Sequence, residues 1–293
     1  MNPKKTPPLQ RPFADQTLQL AALARQALGQ DAIDKIDAFI INRQNKDGGF
    51  HGQTQNSDLR STLFSVAVLR SLNHSIPLRK VWKYVRSFKT GANLDLLQLS
   101  FLTRLRLAFP YWKQTKKKLL NQLQKHPSNS IFNQFLFHFA IDDFHTEIPA
   151  SPTPLDAPTP TLAAAILLNP KEISSLKEEL LNRAVQSGGF APDRKNKTPN
   201  LLSTASALFV LLQLKTPLDH IQKPTLKYIE SLWKKNGGFS STPNSTSTNP
   251  ASTKPTSTTE DAEQTFYALL TMGCLIKSML NKSPSSKSPP KKS

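Results

Sequence analysis

The chain has 293 residues, with 38 Lys+Arg against 20 Asp+Glu, 23 Pro and one cysteine, and a formal net charge of +18 at pH 7. The single Cys274 excludes an intramolecular disulfide and any multi-cysteine metal cluster. The opening "MNPKKTPPLQRPF" lacks the apolar stretch of a secretory signal and no run reaches the ~18 apolar residues of a membrane span, so a cytoplasmic rather than integral membrane protein is expected.

Helical periodicity dominates the chain, and β-type alternation is hard to find. Residues 1–12 read as a disordered tail. "TLQLAALARQALGQ" (16–29) and "DAIDKIDAFIINRQ" (31–44) follow as amphipathic helices, with Asp31 the expected N-cap of the second, and the latter runs into "DGGF" at 47–50. "LRSTLFSVAVLRSL" (59–72) is apolar or small nearly all round, the mark of a helix buried on more than one side. Next come "VWKYVRSF" (81–88), Gly91 and "LDLLQLSFLTRLRLAF" (94–109), then a lysine-rich helical stretch at 111–126. "SIFNQFLFHFAI" (130–141), the Pro-rich 149–160 and "TLAAAILL" (161–168) read as an outer helix, a loop and an inner helix. "PKEISSLKEELLNRAVQ" (170–186) leads to "SGGF" at 187–190 and the buried 201–214. "KPTLKYIESLWKK" (223–235) leads to "NGGF" at 236–239, the Ser/Thr/Pro-rich loop 240–259, the buried 262–276 and a basic disordered tail, 281–293.

Six of the ten glycines lie in the three Gly-Gly-Phe copies, so the copies mark a repeat. Glycine ends a helix readily because it enters left-handed dihedrals without a Cβ clash. The unit is an amphipathic outer helix, a Gly-Gly-Phe turn, a polar loop and a buried inner helix. The pairs are 140 and 49 residues apart, which leaves room for two worn copies between the first and second. The expectation is an all-α single domain over 13–280, a toroid of about six helical hairpins (α6/α6), with an open solenoid as the alternative.

The segment "QNKDGGFHGQTQNSDLRSTLFSVAVLRSL" (44–72) resembles a repeat of protein prenyltransferase β-subunits, and the whole pattern resembles the α/α toroid shared by those proteins and terpene cyclases. The resemblance implies an apolar cavity for an isoprenyl tail, basic residues for its diphosphate, and a zinc ion that activates a substrate thiol. In "GGFAPDRKNKTPNLLST" (188–204), Arg194 and Lys197 match the diphosphate-gripping Arg-x-x-Lys of the family, one residue later, and Arg60 in "SDLRST" matches an arginine at the cavity mouth. Ordinary solvated charges in a polar loop are the plain alternative. The zinc ligands do not carry over: the family's aspartate and cysteine fall on Asn200 and Leu202, and its histidine falls on Gln264 in "DAEQT", where Asp261 alone is kept. Zinc as a cofactor, and zinc-dependent protein prenylation, are therefore not expected. The cyclase branch needs an Asp-x-Asp-Asp acid. "AIDDFHTEIP" supplies Asp142 and Asp143, with His145 and Glu147 nearby, but lacks the first aspartate. With Asp261, these are the candidate catalytic carboxylates.

Three functions stay open at this level. One is a toroid binding an isoprenyl diphosphate or another lipid, with transferase activity weak, altered or absent, alone or with a partner subunit. The second is a non-catalytic scaffold whose basic surface binds protein, an anionic surface or nucleic acid. The third is an acid-initiated cyclase using Asp142 or Asp143.

Overall fold

The computed structural model describes residues 13–108, 118, 121–126, 130–141, 153–168, 173–243 and 260–281. The helices are α1 (Phe13–Leu23, extended by a 3-10 turn, Ala24–Gln26), α2 (Gln30–Ile41), α3 (Leu59–Ser71), α4 (Leu78–Ser87) and α5 (Leu96–Leu107). After them come α6 (Ile131–Ile141), α7 (Thr159–Leu168), α8 (Ile173–Asn182), α9 (Leu201–Gln213), α10 (Asp219–Leu232) and α11 (Ala262–Leu280). A two-residue ribbon, β1 (Phe50–His51) antiparallel to β2 (Ser57–Asp58), braces the first turn, with Phe50 opposite Asp58.

Among the described residues, six helices form a closed inner ring: α3 packs on α5, α5 on α6, α6 on α7, α7 on α9, α9 on α11, and α11 back on α3. The toroid is therefore observed, and the open solenoid is not. The amphipathic α2, α4, α8 and α10 are the outer helices of the hairpins. Their apolar stripes, such as Ile33, Ile36, Phe39 and Ile40 of α2, are buried. Burying such a side chain contributes about 1.5–3 kcal/mol relative to leaving it exposed. No described helix is long and apolar enough to cross a membrane.

The Gly-Gly-Phe turns are joints between successive repeats. Gly48, Gly188 and Gly237 sit at φ +97°, +106° and +94°. A Cβ on each would lie 2.0–2.2 Å from a backbone carbonyl oxygen of the next outer helix: Lys80 of α4, Pro224 of α10 and Lys35 of α2. Against the second glycine of each pair lies an aromatic ring four residues further on, Tyr84, Tyr228 or Phe39. Because Gly237 of the last repeat touches α2 of the first, this joint closes the ring. Phe50, Phe190 and Phe239 then fold under the turns and are at most 2% exposed.

Three sequence expectations are corrected. Residues 130–141 were expected as an outer helix, but α6 stands in the inner ring between α5 and α7. Asp31 does not cap α2; Gly29 is the N-cap, and Asp31 pairs with Lys35 one turn on at 2.7 Å. Helix α10 begins at Asp219 rather than 223, which places Pro224 inside it. Of the expected loops, 149–152 and 244–259 lie outside the described residues, as do both tails, 1–12 and 282–293. Helix α7 begins within the expected 149–160 loop, at Thr159.

Helix α1 is not part of a Gly-Gly-Phe hairpin. It packs on α11 and α3. Gly273 of α11 permits this approach, since a Cβ there would lie 1.7 Å from the Leu20 carbonyl oxygen. Phe13 meets Phe209 of α9 edge to face at 6.1 Å.

Candidate functional site

The register of α3, α9 and α11 is set at their caps. Asp58, Asn200 and Asp261 accept hydrogen bonds from the backbone N–H groups of Ser61, Ser203 and Gln264 at 2.7–2.8 Å. The hydroxyls of Thr62, Thr204 and Thr265 donate to the carbonyls of the same three caps. Thr62 and Thr204 also accept from the N–H groups of Phe50 and Phe190 at 2.9 Å. This arrangement satisfies donors that a helix start leaves orphaned, and it ties the helix to its turn.

One consequence is a ring of equivalent positions. The second residue of every inner helix lines a single central cavity: Arg60, Leu97, Phe132, Pro160, Leu202 and Glu263. Leu97, Phe132 and Leu202 are also 39%, 40% and 37% exposed, so the cavity opens to solvent at this level. At the other end Ala14, Thr17 and Leu18 of α1 line it, next to the buried Phe209, Val210 and Leu270. The volume is about 540 Å³, within the range of small-molecule sites. Its wall is mostly apolar, with aromatic clusters: Phe64 contacts Phe266 and Tyr267 at 5.7 and 5.4 Å, and Phe135 stacks on Phe139 at 5.3 Å. Ala163, Ala164 and Ala205 keep the middle of the cavity open.

The ring of second residues holds one ion pair. Arg60 of α3 bridges Glu263 of α11, and the Tyr267 hydroxyl donates to Glu263 Oε1 at 3.0 Å. Burial pushes the Glu263 carboxyl above its ordinary range despite the arginine. Burial works to lower Arg60, but the Glu263 charge and hydrogen bond outweigh it and the net shift is upward. Burial likewise raises the Asp261 carboxyl. Asp58, Arg60, Ser61, Asp261 and Glu263 line a smaller polar recess of about 290 Å³ beside the mouth.

The residues expected to grip a diphosphate are not brought together. Arg60 lines the cavity, whereas Arg194 and Lys197 are absent from its wall among the described residues. Arg194 instead donates through Nε and Nη2 to the two carboxylate oxygens of Glu179 on α8, at 2.9 and 2.6 Å. Glu179 also accepts from Arg183 at 3.0 Å, and Arg183, 2% exposed, donates to the carbonyls of Leu155 and Ala157 and to the Thr159 hydroxyl. This buried carboxylate and two guanidiniums lock the start of α7 to α8 and to the loop before α9. The Arg194 hydrogen bond, with Arg183, holds the Glu179 carboxyl below its usual range. Lys197 is exposed on the same loop.

Asp142 and Asp143, with His145 and Glu147, lie outside the described residues. Asp261 is the cap of α11. A family zinc ion does not fit the residues in its place. Asn200 is an amide engaged as a helix cap, Leu202 offers no donor atom, and Gln264 is a neutral amide. Among the described residues no group of three or more His, Cys, Asp or Glu side chains is arranged to hold a metal. Sequence reasoning missed Leu97, Phe132, Pro160 and Glu263; the signal for them was the position two after each cap, where Arg60 and Leu202 had already been singled out.

No curated protein matches the chain by sequence. A family model, the prenyltransferase alpha-alpha toroid domain, matches residues 13–92 and 92–285. That span takes in all six inner helices and every Gly-Gly-Phe joint, and the chain belongs to the prenyltransferase alpha-alpha toroid domain family.

Proposed function

We propose that this protein binds an isoprenoid in its central cavity and does not carry out zinc-dependent alkylation of a thiol. The observation that carries the reading is the cavity itself: about 540 Å³, lined by all six inner helices, with a mostly apolar wall that includes aromatic clusters, and open to solvent at the level of Leu97, Phe132 and Leu202. An extended isoprenoid buries apolar surface along such a wall, and each methylene or methyl removed from water contributes about 0.8 kcal/mol. The chemistry of the thiolate is unsupported, because a free thiol is a weak nucleophile near neutral pH without a metal or base, and Leu202 stands where the family places its cysteine ligand.

The test is a calorimetric titration of the full chain with farnesyl diphosphate and, separately, with farnesol. Binding of at least one, lost in Ala205→Trp, is the expected result. Ala205 lines the cavity and is 1% exposed, so the indole fills ligand space. Failure of both ligands to bind refutes the reading.

A second reading rests on α4, which carries exposed Arg79, Lys80, Lys83 and Arg86 and no acidic residue. This face suits docking to an acidic protein, an anionic surface or nucleic acid. Such binding weakens steeply between ~50 and ~200 mM salt through counterion release, and salt-independent binding refutes it.

A further inference from the structure

We infer that the isoprenoid held by this toroid carries an uncharged head, a prenyl alcohol rather than a prenyl diphosphate. The inference rests on the cavity reading above and concerns only what sits at the mouth. The six second residues of the inner helices form that mouth, and their chemistry is asymmetric: Leu97, Phe132, Pro160 and Leu202 are apolar, and the only charges are Arg60 and Glu263. Those two neutralise each other by direct contact. Beside them the polar recess adds the carboxylates of Asp58 and Asp261 and, among the described residues, no further cation in its lining. In a chain of net charge +18, the mouth of the cavity is thus neutral to acidic.

A diphosphate brought here must separate Arg60 from Glu263 and then face three carboxylates across a partly desolvated recess, where like charges repel far more than in water. Among the described residues, three further arginines are engaged elsewhere. Arg194 holds Glu179 with both donor arms. At the opposite end of the cavity, Arg70 donates to the Ala108 carbonyl that ends α5, and Arg104 lies over the Phe139 ring at 5.6 Å. An alcohol needs none of these groups to move. Its O–H can donate to a carboxylate oxygen of the recess and its oxygen can accept from Arg60, so both its hydrogen-bonding capacities are met without a buried net charge. The apolar collar of Leu97, Phe132 and Leu202 then encloses the first isoprene unit.

The experiment compares farnesol and farnesyl diphosphate on the full chain by calorimetry, on wild type and on Glu263→Gln. In the wild type, farnesol binds at least about tenfold more tightly than the diphosphate. Glu263→Gln keeps an acceptor for Tyr267 while releasing Arg60, so the diphosphate gains at least about tenfold. Tighter binding of the diphosphate than of farnesol to the wild type overturns the inference and leaves the cavity reading standing. An unchanged diphosphate affinity in Glu263→Gln also overturns it, since the mouth carboxylate is then not what excludes the anion. Binding of neither ligand to the wild type sinks the cavity reading and this inference with it.

Discussion

The joint formed by Gly237 decides whether the ring is closed as described, and Gly237→Ala tests it. Two costs arise. The backbone at φ +94° belongs to glycine, and forcing alanine to hold it costs about 1–3 kcal/mol. The new Cβ would also lie 2.1 Å from the Lys35 carbonyl oxygen and 2.4 Å from its carbon. Those are backbone atoms of α2 and cannot swing aside, so the first and last repeats must part, at a further cost of about 1–3 kcal/mol. The sum centres on about 4 kcal/mol. For a domain of this order of size each kcal/mol shifts the melting temperature by about 2–4 °C, so a drop of about 8–16 °C is expected. Calorimetry and urea unfolding measure it, the latter requiring an unchanged m-value for a clean comparison. Gly29→Ala is the control: its φ is −72°, nothing lies within 4 Å of a Cβ there, and weaker N-capping by alanine costs no more than about 1 kcal/mol. If Gly237→Ala unfolds no more readily than Gly29→Ala, the contact does not close the ring and the reasoning fails.

The Glu179 cluster and the threonine ties make further predictions. Glu179→Leu leaves the Arg183 guanidinium buried without its counter-ion and should destabilise by about 3–5 kcal/mol in chemical denaturation. Arg194→Gln, on the half-exposed partner, should destabilise less and leave farnesol affinity unchanged; loss of binding would restore Arg194 to the ligand site. Because the folded Glu179 carboxyl titrates below its ordinary 4.5, it adds stability that is present above about pH 4.5 and is lost as pH falls through the folded value. Glu179→Leu should accordingly flatten the acid limb of the stability–pH curve, and an unchanged limb would show the pairing to be unimportant. Thr204→Val strands the buried N–H of Phe190, to which a methyl group offers no acceptor, and should cost about 1–3 kcal/mol with faster hydrogen exchange at that amide.

Much of the fold was legible because its punctuation is chemical. A residue at φ near +100° pressed against a carbonyl has to be glycine, so three joints left three identical marks in the sequence. The joint between α4 and α5 carries Gly91 alone, and the α6–α7 connection carries no glycine pair at all, so there the repeat had to be read from periodicity. That is where the reading failed. In α6, "IFNQFLFHFAI" has enough polar residues to resemble an outer helix, but the stripe of Phe132, Phe135, Leu136 and Phe139 faces a cavity rather than a packed core. Periodicity reports that one face is apolar and is silent on what lies opposite it.

The candidate site was legible in its positions, while the pairing of its charges was not. Arg60 and Leu202 stand on the cavity wall because the cap fixes the register of the first turn, and a cap is a local feature that sequence displays. Arg194 was read from spacing as a cation aimed at an anion. The anion it meets is Glu179, fifteen residues earlier on a different helix, and no local pattern records that pairing. Glu263 went unremarked for the complementary reason: a carboxylate two residues after a cap is common near a helix N-terminus and needs no partner there. Packing of α11 against α3 places it on Arg60 instead. The two oversights compound, since both arginines counted toward an anion-binding mouth have their own carboxylates in the folded chain. In this chain the net charge presented at the mouth is therefore set by tertiary pairing across neighbouring repeats, while the apolar cavity beneath it follows from the repeat itself.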